Sequence, residues 1–161
     1  MKSIRLVRCR VWLALFSLLL VGTIAPPAVA GEGQVFEYNP GAGTLTLIYN
    51  SPDFNDCDNP DNMTVTPRGG LLLCEDAAGG VGGDVAAERL IGLTLTGTTF
   101  TFAVNNINLP LAYNDRVSAG NYRTQEWAGA CYSPDGKWLF VNIQTPGVTF
   151  AITGPWGLGP L

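Results

Sequence analysis

From residue 34 onward, short stretches that alternate apolar and polar side chains are separated by clusters of Gly, Pro, Asn and Asp. Period-two alternation buries one face of a strand, and these clusters supply the backbone angles of turns. Gln34–Tyr38 and Thr44–Tyr49 flank Asn-Pro-Gly-Ala-Gly, which predicts a hairpin. Met63–Thr66 and Leu71–Cys74 flank Pro-Arg-Gly-Gly and predict a second. Leu90–Thr96 and Thr99–Val104 about Gly97-Thr98 predict a third, and Ala130–Ser133 and Trp138–Ile143 about Pro134–Lys137 a fourth. Val148–Ile152 is a last strand before the Gly/Pro-rich end, while Ala77–Gly83 and Leu109–Gly120 are expected to be loops. About nine strands without a convincing helix predict an all-β fold.

An internal repeat refines that expectation. With an offset of 67 residues Thr66 falls on Ser133, Gly69 on Gly136 and Leu71–Leu73 on Trp138–Phe140. Each copy is a strand, a turn with Pro and Gly, and a second apolar strand. Four successive antiparallel strands over Met63–Val104, followed by the start of a similar sheet, read as a β-propeller, although a β-sandwich also stacks short strands at this spacing.

The first thirty residues have a different pattern. Lys2, Arg5, Arg8 and Arg10 precede an apolar run, Val11–Ile24, broken only by Ser17, Gly22 and Thr23. The run is shorter than the roughly 20 residues that span a bilayer as a helix. Pro26 and Pro27 follow, and Ala28-Val29-Ala30 places small residues where a signal peptidase reads them. Residues 1–30 are therefore expected to be a secretory signal peptide cleaved near Ala30/Gly31, and 31–161 the folded part, secreted or periplasmic in a bacterium and without a stable membrane span after cleavage.

Removing the leader leaves five basic against thirteen acidic residues, a formal charge of −8. That balance disfavours nucleic acid, whose phosphates need Lys and Arg, and suits hard cations bound through carboxylate oxygens. The chain has no histidine, which excludes a Ser-His-Asp triad and a His-ligated zinc site. Cys57, Cys74 and Cys131 remain. One disulfide plus a free thiol, with Cys57–Cys74 the closest pair in sequence, and three buried or metal-facing thiols are both open.

The segments Asn59–Asp76 and Glu126–Gln144 resemble the C-terminal part of PhoX-type alkaline phosphatases, and Gly147–Trp156 is similar to that family's ending. The resemblance implies a secreted bacterial phosphatase with a propeller fold. It also implies hydrolysis of phosphate monoesters with calcium and iron held by carboxylates and a cysteine at the propeller's centre. It further implies a partial ring: about one full four-stranded blade and two partial ones, with the earlier blades and their iron-binding cysteine missing. The open sheet edges would then be free for self-association or a partner chain.

Candidate residues follow from the repeat, since equivalent blade ends converge on a propeller's channel. The 67-residue offset pairs Asn59 with Glu126 and Glu75 with Asn142. Glu75, with Asp76 beside it, ends an apolar strand and is the first candidate ligand and catalytic carboxylate. The resemblance also implies an acidic ligand at the end of such a strand, and a solvated strand-end acid is the alternative. Glu126 is the second catalytic candidate, because the small residues after it (Ala128-Gly-Ala130) permit close backbone approach. Asp61, with Asn62, is a metal candidate or a turn cap, and Asn142 is a further metal candidate. Arg123 is the candidate phosphate-binding group through its bidentate fork, whereas Arg68 reads as a turn residue. Cys74 is expected to point away from Glu75, because strand neighbours alternate sides. Two functions remain: a metal-dependent phosphomonoester hydrolase completed by further blades, or a non-catalytic exported β-module that binds Ca²⁺ or a partner.

Overall fold

The computed structural model describes the backbone of Ile4–Arg8 and residues 33–53, 55–76 and 87–161. The apolar run and the cleavage point of the expected leader lie outside these residues, as does the expected loop 77–83. Three antiparallel sheets stack in chain order. The first is β1 (Ile4–Arg8), β2 (Gln34–Asn39) and β3 (Thr44–Asn50). The second is β4 (Pro60–Val65), β5 (Leu71–Glu75), β6 (Arg89–Leu93) and β7 (Thr99–Val104). After a small pair, β8 (Asn108–Leu109) and β9 (Gly120–Asn121), comes the third: β10 (Trp127–Tyr132), β11 (Trp138–Ile143) and β12 (Val148–Thr153).

The four expected hairpins all form. Their turns behave as the glycines require: Gly69, Gly97 and Gly136 have φ of 94°, 82° and 68°, in the left-handed region that glycine enters without steric cost. Gly69 N–H bonds to Thr66 O and Gly136 N–H to Ser133 O, so the repeated Pro-containing turn repeats in structure. Three expectations are corrected. The stretch Leu109–Gly120 carries the ends of β8 and β9 and a bridge between Tyr113 and Val117, and Trp156–Leu158 forms one turn of 3₁₀ helix. The expected strand Leu90–Thr96 stops at Leu93, because Thr94 N–H bonds to Thr98 O and closes the turn early.

Strand β5 (Leu-Leu-Leu-Cys-Glu) is buried along its whole length, and its two faces serve two cores. Leu71 and Leu73 join Val35, Tyr49, Cys57, Ile91 and Leu93 against the first sheet. Leu72 and Cys74 join Leu90, Trp127, Leu139, Val141 and Ile143 against the third. A strand covered on both faces reads as a continuous apolar run rather than an alternation, which is what the sequence has here. The innermost strands β1, β4 and β10 lie side by side. Three stacked sheets with adjacent first strands make this an all-β, partial β-propeller in which none of the described sheets closes on itself.

The tail returns to the central sheet. Leu161 is buried in the core shared by the second and third sheets, and Arg68 Nη1 donates to Gly159 O. Trp156 Nε1 donates to Lys137 O at 2.9 Å, and its ring packs on Phe102 and Tyr132. Among the described residues no helix is long and apolar enough to cross a membrane.

Candidate metal centre

The acidic residues that converge lie where the inner strands of two neighbouring blades begin. Asp61 is the extra residue of a bulge in β4, since Pro60 pairs with Glu75 and Asn62 with Cys74. A bulge turns a side chain out of the strict alternation of the strand. Asp76 follows β5 directly, and its N–H bonds to Asn59 O at 3.2 Å. Glu126 directly precedes β10, and its carbonyl accepts from Gln144 N–H at 3.1 Å. These two backbone bonds are counterparts that close the same end of each blade. One carboxylate oxygen from each of Asp61, Asp76 and Glu126 lies within 4.8 Å of the others.

Crowding three carboxylates has an electrostatic cost that falls on Glu126. Its carboxyl is pushed up to about 7 by partial burial, by the charge of Asp76 and a hydrogen bond with it, and by Asp61, with a Gln144 hydrogen bond acting the other way. A carboxyl held partly protonated by burial and by like charges is relieved by a cation.

Glu75 has another arrangement. Its side chain is on the Leu71/Leu73 face, 2% exposed. Oε1 accepts from Arg89 Nη2 at 2.6 Å and from Asp58 N–H at 2.9 Å. Oε2 accepts from Arg89 Nε at 2.8 Å and Arg89 N–H at 3.1 Å. Burial alone would pull the Arg89 guanidinium down, but the hydrogen bonds and charge of Glu75 raise it above its ordinary value. Arg89 Nη1 also donates to Asn55 O at 2.5 Å. Glu75 thus ties the end of β5 to the start of β6 and to the loop that leads into β4, one residue behind Asp76.

Asn142 is likewise engaged within its own sheet: its Nδ2 donates to Ala128 O at 3.3 Å, and its Oδ1 accepts from Thr149 Oγ1 at 2.6 Å. The pairing of Glu75 with Asn142 by a uniform offset of 67 is corrected. Thr66 N–H bonds to Gly70 O, but Ser133 N–H bonds to Trp138 O, so the second turn is one residue longer. Beyond that turn Glu75 corresponds to Ile143, and Asp76 to Gln144. Arg123 O accepts from Glu88 N–H at 3.0 Å, and its own N–H donates to Asn121 Oδ1 at 3.2 Å. Its buried Nε has no hydrogen-bond partner among the described residues. The structure therefore brings together Asp61, Glu126 and Asp76, with Glu75 and Asn142 outside the cluster.

Cys57, Cys74 and Cys131 are all free thiols. Cys57 and Cys74 belong to the two cores on opposite faces of β5, so the closest pair in sequence is not a disulfide. Burial pushes both thiols up, Cys74 to about 12. Cys74 does point away from Glu75, as strand alternation requires.

A sequence model of the family described as alkaline phosphatase PhoX matches residues 24–147. The chain belongs to the PhoX family. Comparison with curated proteins and with solved structures gives no match. The matched span takes in all three clustered carboxylates together with Glu75, Arg123 and Asn142, and the PhoX family is one of metal-dependent phosphatases. The donor set fits a hard cation: oxygens on opposite sides of a Ca²⁺ ion lie about 5 Å apart, twice the ordinary bond length. The spacing of the three carboxylates is within that span.

Proposed function

We propose that this chain forms part of a secreted phosphatase centre that hydrolyses phosphate monoesters, with Asp61, Asp76 and Glu126 holding a divalent cation, calcium in the first instance. The observation that supports this reading is the meeting of three carboxylates at the channel-side ends of two adjacent blades, in a chain of the PhoX family. A bound cation would supply charge neutralisation for the phosphate oxygens and lower the pKa of a bound water. Iron, in this reading, needs a thiolate ligand, and no cysteine is among the clustered groups Asp61, Asp76 and Glu126.

The chain's own residues have separable parts. Asp61, Asp76 and Glu126 bind and orient. Glu126, whose carboxyl is pushed up to about 7 in the metal-free chain, gives up its proton when the cation binds and then serves as a charged ligand. Glu75 works from behind: by holding Arg89 and the Asp58 amide it places Asp76. Arg123, three residues before Glu126, is the group to receive a phosphate oxygen through its guanidinium.

Calcium titration of the purified chain followed by a chromogenic phosphomonoester assay tests both levels. Binding with turnover supports the enzyme. Binding without turnover supports the second reading, a non-catalytic exported β-module, which the open outer faces of the first and third sheets favour. No binding at all removes the metal centre.

A further inference from the structure

The central sheet is covered on both sides, and the repeat identifies which cover is which. Leu71 and Leu73 face the preceding sheet, whereas Leu72 and Cys74 face the following one. In the third sheet Leu139, Val141 and Ile143, the counterparts of Leu71, Leu73 and Glu75, likewise pack back on the sheet before. Trp138 and Phe140, the counterparts of Gly70 and Leu72, are on the face by which a sheet receives its successor. They are 43% and 39% exposed. Phe140 is flanked in register by Ala151 and Cys131, both exposed, so the patch is apolar.

The first sheet has the reverse situation. Val35 and Tyr49 are buried toward the central sheet. The register pairs Phe36–Leu47 and Tyr38–Leu45 occupy the opposite face, the one that packs on a predecessor. Leu45 and Leu47 are 58% and 48% exposed. One end of the stack thus offers a successor-seeking face and the other a predecessor-seeking face.

We propose that a second copy of this chain docks head-to-tail: the Trp138/Phe140 face of each copy packs on the Phe36/Tyr38/Leu45/Leu47 face of the other. The junction continues the interface already made twice within one chain, which favours this occupant over an unrelated partner. Two copies bring three sheets each to a ring, within the usual range of about four to eight blades, and three copies exceed it. Closure at two copies uses both open faces, so the head-to-tail contact ends in a dimer rather than a fibre.

Light scattering or sedimentation of the purified chain is expected to give twice the 17.1 kDa of one chain. Phe140→Glu and Leu47→Lys each alter an exposed position, and each variant alone is expected to be a monomer with unchanged far-UV circular dichroism. Mixed in equal amounts, the two variants are expected to recover the dimer. One junction then sets Glu against Lys while the other is wholly native, and an interface between like faces gives no such rescue. If Phe140→Glu unfolds, Ala151→Glu on the same face takes its place. A wild-type monomer, a dimer indifferent to both substitutions, a mixture that stays monomeric, or aggregate without a discrete mass overturns the proposal.

Discussion

Asn62 Oδ1 accepts a hydrogen bond from Gly129 N–H at 3.3 Å, joining two residues 67 apart on the first strands of successive blades. Gly129 has φ of 63° beside the bulge in β10, and a Cβ there would sit 3.0 Å from Asn142 Nδ2. The bond crosses between the inner strands β4 and β10. It lies next to Asp61 in sequence, so the blade contact and the acidic cluster are parts of one local arrangement.

Replacing one clustered carboxylate should move two measurements in opposite directions. Asp76→Asn removes repulsion from Glu126 and is expected to raise the thermal midpoint of the metal-free chain. It also removes a charged ligand, and Ca²⁺ affinity is expected to fall at least about tenfold. Calorimetric titration and thermal unfolding on the same samples check both. A fall in both quantities would show that Asp76 is held for structure.

Glu126 sets a pH dependence. Its folded value, about 7, is above the ordinary carboxyl value of 4.5, so between these values the folded chain binds more protons than the unfolded one. Stability contributed at this site is therefore present below the lower value and declines as pH rises through the window. Calcium binding should run the other way, strengthening as pH rises through about 7, because the ligand must lose its proton. An NMR titration of the Glu126 carboxyl with and without Ca²⁺ reads the midpoint directly, and saturation with the ion should move it down.

The Glu75–Arg89 pair is expected to be the most sensitive polar contact in the described residues. Arg89→Met leaves a buried carboxylate without its partner, and such losses cost about 3–5 kcal/mol. Glu75→Gln, which keeps an acceptor for Asp58 N–H, should cost less. Urea unfolding measures both. A cost below about 1 kcal/mol for Arg89→Met would remove this pair as the brace behind Asp76.

Thiol chemistry should separate the three cysteines of the expected mature chain. Cys131 is exposed, whereas Cys57 and Cys74 are buried with their thiols pushed up. A thiol-specific reagent at neutral pH should label Cys131 quickly in the monomeric Phe140→Glu variant, more slowly in the wild-type dimer that covers this face, and the other two only on unfolding. Fast labelling of Cys74 in the native state would mean that the core between the second and third sheets opens readily.

The proposed export leader has a structural consequence. Cleavage at Ala30/Gly31 would remove β1, which pairs with β2 from Ile4↔Tyr38 to Arg8↔Gln34. Mass spectrometry of exported protein should find Gly31 at the N-terminus. Hydrogen exchange at β2 should then be faster than in the full chain, because one edge of that strand has lost its ladder partner.

What the sequence determined alone is the local grammar: four hairpins, the stacked small sheets, and the repeated turns at Gly69 and Gly136. These follow from period-two alternation and from glycines that can enter the left-handed region, and both signals sit within a few neighbouring residues. It also marked Glu126 as a candidate through the repeat and Asp61 through its place in Asn-Pro-Asp-Asn. Only the tertiary structure decided between Glu75 and Asp76. The choice depends on a bulge at Asp61, on a turn one residue longer at Lys137, and on Arg89, which reaches Glu75 from 14 residues away. None of these has a periodic signal in the chain. A shift of one residue in a strand reverses the face a side chain occupies, so packing between blades settles which carboxylate enters the centre and which is buried behind it.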